Sequence, residues 1–366
     1  VDPNDSSCSF QTRSKILRNF TVVGSTFRTC AQTILFRHVV FTSVDSASRL
    51  IGTLEASTTL GRHVKSIRIA AAPILSEEED EPVMLQKMKL DFLPALLGLC
   101  EPTMLRISGL GEVQDLELYS LLQSSPSLTD ISISDSWLRV DSSRRKETDF
   151  SASRLRRIYL SEVSLFKVIM ADEDPANYEN LFTPLSTIPT FVSFALTYPS
   201  LYSHLNLEDS AQHNLSPLVA LLPQLLCLSS TTQTLDATPS TLTTQPLLFL
   251  DCFASILDPI SIRRLPSTLQ VLRLNVTQQQ DSGIPAELVN ALKCWRAEAL
   301  TELWVPFEWE QEEEMVEIEK WCKERGVWLV KEVWEGDEED RVFDDPFWGI
   351  SDGILRKVED ERRSGV

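Results

Sequence analysis

The chain has 366 residues, of which 43% are hydrophobic, and its formal net charge is −19. A chain of this length and apolar content can bury a substantial core without metals or disulfide bonds. The acidic excess repels phosphate backbones and anionic lipids, so we expect neither a nucleic-acid nor a membrane partner. No apolar stretch reaches the roughly 20 residues that a bilayer requires.

The seven cysteines are scattered and show none of the spacings of a metal site. They include no C-x-x-C pair, and the four histidines do not combine with them at zinc-binding intervals. The pattern predicts reduced, mostly buried thiols in a reducing compartment, which means the cytoplasm, the nucleus or both. We expect no metal and no cofactor.

The N-terminal part is predicted to be a small helical region. Between residues 13 and 36 apolar side chains recur at steps of three and four, which predicts amphipathic helix with Gly24 as a break. Residues 47–60 predict a further helix that ends at Gly61. We place the helical region at residues 1–45 and the start of the main body at residue 46.

The main body, residues 46–334, repeats a short element of the form apolar-x-x-apolar-x-apolar. Full copies begin at Val64, Leu128, Leu155, Leu269 and Leu300, a looser one at Tyr202 and an incomplete one at Leu105. Most follow a leucine-rich helical stretch and a polar turn, and the best-defined spacings, roughly 26 to 31 residues, lie near the 20–29 of leucine-rich repeats. A short strand and a helix cannot bury their apolar faces alone, but stacked copies can. The sequence therefore predicts an α/β fold, an irregular leucine-rich-repeat-like solenoid of short parallel strands and helices.

The end of the body is predicted to be a packed helix followed by a closing strand. Residues 310–325 form the helix, with Glu319 and Lys323 paired one turn apart. Its inner face carries Met315, Ile318, Trp321 and Cys322. Gly326 ends the helix, and residues 327–333 form the strand.

The last segment, residues 335–366, is predicted to be an acidic tail. The final 66 residues hold 21 acidic against 9 basic side chains. Such acid density favours a solvated segment, which Phe343, Phe347 and Trp348 are placed to dock.

Motifs that carry catalysis are absent from the sequence. It has no G-x-S-x-G elbow, no phosphate-binding P-loop and no H-E-x-x-H pair. The pair Gly109 and Gly111 lacks the third glycine of a dinucleotide site, and the acidic run 77–81 lacks the ligand spacing of a calcium loop. We therefore expect a protein that is not an enzyme.

Residues 16–39 resemble the second half of an F-box, the helical module that joins a substrate receptor to the Skp adaptor of a cullin-type ubiquitin ligase. The stretch 17–28 is similar to the family pattern L-x-x-L-S-L-V-C-R-x-W/F-R, with Gly24 and Ser25 in place of the Cys-Arg pair. Residues 35–39 look like the L-F-R-H-V that closes the motif in the large fungal F-box families. Residues 60–69 are similar to the L-G-R-H-V-x-S-L-x-I that opens the repeat body in those proteins. The family's first helix, with its L-P-x-E start, has no counterpart ahead of Val1.

The resemblance implies a non-catalytic substrate receptor of an SCF-type (Skp–cullin–F-box) ubiquitin ligase, acting in ubiquitin-dependent protein degradation. Residues 1–45 would be a partial F-box, and the repeat body would bind an unknown target protein. The candidate adaptor-binding residues are Leu17, Phe20, Val22, Val23, Phe27, Leu35 and Phe36. The alternative is a repeat-type interaction scaffold that has lost adaptor binding and keeps the F-box remnant as a cap.

Overall fold

The structure is a computed structural model with two compact units, one of Val1–Val140 with Ala152–Leu155 and one of Asp141–Ser151 with Arg156–Val366. We call them unit 1 and unit 2. The described residues are 25–70, 90–139, 150–166, 183–197, 200–202, 224–230, 246–253, 262, 265–275, 286–332 and 346–364.

Unit 1 is a stack of four parallel strands in the order β1-β2-β3-β4, with helices between them. Its elements are α1 (Ser25–Leu35), β1 (His38–Phe41), α2 (Val44–Ala56), α3 (Thr58–Gly61), β2 (Ser66–Ala70), α4 (Leu93–Leu99), β3 (Met104–Glu117), α5 (Leu118–Ser124) and β4 (Asp130–Arg139). The register aligns buried apolar residues, because Ile67 pairs with Leu105 and Leu105 with Ile131. Each strand thus adds one layer to a common core.

Side chains at the helix starts of unit 1 satisfy backbone groups that the helix leaves open. The Ser43 side chain accepts a hydrogen bond from the Ser46 amide at the start of α2. Glu117 accepts from the amides of Tyr119 and Ser120, at 3.2 and 2.7 Å, at the start of α5. These two caps set where α2 begins after β1 and where α5 begins after β3.

The helix predicted over residues 47–60 is divided into α2 and α3 at Ser57, whose amide donates to the Leu54 carbonyl. The run of Ser57, Thr58 and Thr59 explains the break, since hydroxyl and β-branched side chains disfavour continued helix. Gly61 ends α3, as predicted, but it also has a packing role. A Cβ atom at Gly61 would lie 2.0 Å from the Leu99 carbonyl oxygen, so only glycine lets α3 approach the end of α4.

Unit 2 has the same construction within itself, with strands in the order β5-β6-β8-β9-β10-β11-β12. Its strands are β5 (Arg157–Phe166), β6 (Ser193–Thr197), β7 (Ser200–Tyr202), β8 (Cys227–Ser230), β9 (Phe249–Phe253), β10 (Val271–Asn275), β11 (Glu302–Pro306) and β12 (Trp328–Glu332). Its helices are α6 (Ala286–Cys294), α7 (Glu313–Arg325) and α8 (Pro346–Ser364), with 3-10 turns at Thr183–Thr187 and Phe307–Gln311. The short β7 pairs with the far end of β5 and extends β6 along it.

The predicted repeat element is confirmed in both units. All three apolar positions of the copies that begin at Val64, Leu128, Leu155, Leu269 and Leu300 are buried, with exposed fractions of at most 6%. Two further copies, starting at Phe191 and Leu247, have the same spacing and are equally buried. The looser copy at Tyr202 continues outside the described residues. Both units are therefore irregular leucine-rich-repeat-like stacks of an α/β protein.

A repeated backbone contact joins each layer to the next. The carbonyl just before one strand accepts two successive amides from the next layer: Lys65 O accepts from Thr103 N at 2.9 Å and Met104 N at 3.1 Å. Threonine hydroxyls reinforce this contact, for example Thr301 Oγ1 donating to Gln270 O at 3.0 Å. Such contacts span 26, 31 and 38 residues of chain. The insertions are thus accommodated between strands, while the layer contact stays constant.

The predicted terminal helix and closing strand are present as α7 and β12. Met315, Ile318, Trp321 and Cys322 of α7 are buried. Gly326 has a φ of 70° and its amide donates to the last carbonyls of α7, as a left-handed cap does. The predicted Glu319–Lys323 pair is wrong, because Glu319 instead contacts Lys331 of β12 at 3.0 Å. The hydrogen bonds that Lys331 donates to the carboxylates of Glu319 and Glu310 raise the pKa of Lys331.

Thiol reactivity is expected to divide the described cysteines into two classes. Burial raises the pKa of Cys100, Cys227 and Cys322 to about 12, and that of Cys252 also rises. Because only the thiolate reacts, these four are expected to resist alkylation at pH 8 in the native protein.

Cys30 and Cys294 are exposed and serve as internal controls that label rapidly. Mass spectrometry of iodoacetamide-treated native and urea-unfolded protein gives the labelling rate at each site. Labelling of native Cys227 as fast as Cys30 would contradict the packing described here.

Candidate target-binding face

The strands of unit 2 have two faces, because successive side chains of a strand point to opposite sides. One carries the repeat leucines and faces the core. The other, which we call the front face, carries two rows of side chains in register. The first row is Arg157, Ser193, Cys227, Phe249, Val271, Glu302 and Trp328. The second row is Tyr159, Ala195, Ser229, Asp251, Arg273, Trp304 and Val330.

A buried polar network occupies the middle of the front face. Asp251 accepts hydrogen bonds from Ser229 Oγ at 2.7 Å, from Arg273 Nη1 at 3.2 Å and from Asn275 Nδ2 at 2.5 Å. The guanidinium of Arg273 also binds Glu332 through two parallel hydrogen bonds, from Nε at 2.8 Å and from Nη2 at 3.0 Å. Arg273 is 1% exposed, so its charge is compensated by protein carboxylates rather than by water. The network links β8, β9, β10 and β12 across the sheet.

This network has no nucleophile positioned for catalysis. Ser229 donates its proton to Asp251, a carboxylate already engaged by two other donors, and the described part of unit 2 contains no histidine to act as a base. Among the described residues, no group of three or more His, Cys, Asp or Glu side chains is arranged to hold a metal ion. The hydrogen bonds and ion pairs of the network are made within unit 2 and hold its strands together.

Helix α8 lies against an apolar strip of the front face. Phe347 is 1% exposed, its ring stacks on Phe249 with centroids 5.2 Å apart, and Tyr159 lies 6.3 Å away. Farther along the helix Ile354 and Leu355 are buried in the same cluster. The strip itself is formed by Tyr159, Ala195, Leu226, Cys227, Phe249 and Val271. We call this strip the α8 seat.

Two ion pairs flank the seat on one side. Asp352 of α8 contacts Arg157 at 2.9 Å, and Glu359, two turns later, contacts Arg156 at 2.7 Å. Arg157 is nearly buried, whereas Arg156 and Glu359 are partly exposed. The inner pair is therefore shielded on its Arg157 side only, because Asp352 is 31% exposed, and water screens the outer pair more strongly.

Within the predicted acidic tail, residues 335–366, residues 346–364 form a docked helix. Of the three aromatic residues predicted to dock this segment, Phe347 is buried in the cluster, Phe343 lies outside the described residues, and Trp348 lies in α8. Helical spacing of Phe347, Ile350, Ile354 and Val358 was the available signal. The average charge of residues 335–366 hides this spacing, because the acidic excess lies before residue 346. Residues 346–364 hold four acidic and four basic side chains.

The candidate adaptor residues fall partly within the described chain. Leu17, Phe20, Val22 and Val23 lie outside the described residues. Phe27 lies in α1. Leu35 and Phe36 are neighbours at the end of α1, both half-buried, directly ahead of β1, and Ile34 beside them is 57% exposed.

Comparisons with known proteins concern the fold only. No family model matches the chain, and no curated protein sequence matches it. No helix among the described residues has both the length and the apolarity to cross a membrane.

Several solved structures share a coarse similarity. A chain of the TLR13–ssRNA13 complex has 16% identity and a TM-score of 0.38 over 68% of this chain and 30% of that one. An internalin, InlF of Listeria monocytogenes str. 4b F2365, has 13% identity and a TM-score of 0.36 over 79% and 88%. A chain of the mouse RP105/MD-1 complex has 15% identity and a TM-score of 0.35 over 77% of this chain and 51% of that one. This chain thus spans under a third of the first structure and about half of the third, and the fold assignment rests on the strand register described above.

Proposed function

We propose that this protein is a non-catalytic, protein-binding receptor whose repeat stacks hold a target. More specifically, we propose that it is a substrate receptor of an SCF-type ubiquitin ligase. Its N-terminal helices would bind the Skp adaptor, and the adaptor would connect it to the cullin scaffold. Such a receptor contributes proximity, because holding a target beside the ubiquitin-loaded enzyme raises the target's effective concentration.

The observation that carries the adaptor assignment is the position of the family-like motif. The last turn of α1 leaves Ile34 exposed and Leu35 and Phe36 half-buried, immediately before the first strand of the stack. Large apolar side chains that the fold does not fully bury are typical of interface residues. The location matches that of the F-box motif relative to the repeat body in the families it resembles.

Replacing Leu35 and Phe36 together by aspartate is expected to abolish capture of the chain by an immobilised Skp adaptor. Two charges at a desolvated apolar contact oppose association by several kcal/mol. The matched control is Val44→Asp, which charges another exposed apolar residue of unit 1, 41% exposed and outside the motif. The pull-down is done with this chain and with one extended upstream of Val1.

Capture of the wild type and of Val44→Asp, but not of the double variant, is the expected pattern. Failure of both the chain and its extended form to bind the adaptor would overturn the ligase assignment. Equal capture of the double variant would remove Leu35 and Phe36 from the interface.

A further inference from the structure

The α8 seat has the properties of a groove that receives an amphipathic helix. Its centre is apolar, formed by Phe249, Tyr159 and Val271, and its side carries the cations Arg156 and Arg157. The occupant is a single helix whose apolar residues recur at three- and four-residue steps. Recognition of this kind depends on a few anchors along one helical face.

Two glycines lower the intrinsic helix propensity of α8, although the contacts of α8 with the seat do not need them. Gly349 and Gly353 are both exposed interior positions of α8, and a Cβ atom at either would meet nothing within 4 Å. No packing reason therefore demands glycine there. Each interior glycine disfavours helix severalfold relative to alanine, so α8 is easier to release than an alanine-containing helix would be.

A buried polar group of the front face beside the seat is left unsatisfied. Ser193 lies in the first row between Arg157 and Cys227 and is 1% exposed. Its hydroxyl oxygen has no hydrogen-bond partner in the part of the chain that the structure describes. An unpaired buried hydroxyl is unfavourable, and a ligand that offered it a partner would remove that penalty.

We propose that the α8 seat is the docking groove for an amphipathic helix of the target protein, and that α8 occupies it as an intramolecular competitor. This inference rests on the proposed receptor function, and it does not depend on the adaptor. The target helix would carry an aromatic anchor, aliphatic residues seven and eight positions later, and carboxylates five and twelve positions after the anchor. Those spacings are the ones at which Phe347, Ile354, Leu355, Asp352 and Glu359 engage the seat.

Tethering makes α8 a strong competitor, because a helix on a short linker acts at an effective concentration on the order of mM. A free helix of equal fit would therefore bind the wild-type chain weakly. A variant that weakens docking of α8 should bind a free helix more tightly, and a variant that strengthens docking should bind it more weakly. In each case the apparent affinity changes by the same factor as the docking equilibrium of α8.

The test is binding of a fluorescein-labelled peptide of residues 346–364 to the full chain, followed by fluorescence anisotropy. In the chain, Phe347→Ala removes the anchor of α8, and Asp352→Lys opposes Arg157 without touching the apolar core. Both are expected to bind the peptide at least tenfold more tightly than the wild type. The chain that carries both Gly349→Ala and Gly353→Ala is expected to bind the peptide roughly 5- to 30-fold more weakly than the wild type does.

Controls separate docking from misfolding and from self-association. A peptide with the Phe347→Ala change should not bind any variant, and circular dichroism should show that Asp352→Lys keeps its strand content. Equal affinity of all chains for the peptide, or no saturable binding to either opened variant, would overturn the proposal. So would dimerisation of the opened variants through exchange of α8, measured by light scattering. The assay contains no adaptor, so its failure is distinct from failure of the ligase assignment.

Discussion

Replacing Arg273 by leucine is expected to destabilise unit 2 by about 3–5 kcal/mol, the largest single effect we anticipate. The guanidinium is the cation that lies between the carboxylates of Asp251 and Glu332, whose side chains are 3% and 11% exposed. Without it, two buried negative charges face each other and lose three hydrogen bonds. Breaking one partner of a buried ion pair costs far more than the pair contributes.

The measurement is urea unfolding at pH 7 for the wild type and Arg273→Leu, with the free energy of unfolding taken from the transition that tryptophan fluorescence reports. The matched control is Lys293→Ala, which breaks the exposed ion pair with Glu317 and is expected to leave the midpoint unchanged. A loss below 1 kcal/mol for Arg273→Leu would show that the front-face network is not compensated as described.

Replacing Gly61 by alanine is expected to destabilise unit 1 by about 1–3 kcal/mol, because the added methyl group overlaps backbone. The new Cβ would lie 2.0 Å from the Leu99 carbonyl oxygen and 3.1 Å from its carbon. Neither atom can rotate away, so the end of α4 must move from α3. Hydrogen exchange is expected to rise in peptides that cover residues 93–99.

Gly52→Ala is the control of opposite sign. Gly52 lies inside α2, and its Cβ position is open, so alanine there is expected to stabilise the helix by about 0.5–1 kcal/mol. Thermal unfolding followed by circular dichroism distinguishes the two substitutions. If both shift the midpoint in the same direction, the close approach at Gly61 does not constrain unit 1.

Part of the strand pattern could be predicted because strands such as β2 bury only one face against the core. Ile67 and Ile69 are typical, since alternating residues of their strand are more exposed. The copies that begin at Phe191 and Leu247 are harder to predict, because front-face residues of their strands are buried as well. All five residues of β6 are buried, so hydrophobic alternation disappears from the sequence.

The candidate site could be predicted only in part. The family-like motif predicts Leu35 and Phe36 as adaptor-binding residues, and both are half-buried at the end of α1. The front-face network could not be found from sequence, because Ser229, Asp251 and Arg273 come from separate repeats and only the strand register brings them together. Helix α8 could not be separated from the predicted tail by net charge, because the acidic excess of residues 335–366 lies before residue 346 and the helix itself is balanced.

The central claim is that the N-terminal helices bind the Skp adaptor while the repeat stacks hold a target. Calorimetric titration of purified Skp adaptor into the purified chain, with and without an upstream extension, tests it most directly. We expect saturable one-to-one binding of wild-type protein that is lost in the Leu35→Asp, Phe36→Asp variant and unaffected by Arg273→Leu as long as unit 1 stays folded. Absence of binding to both forms of the wild-type chain would contradict the claim.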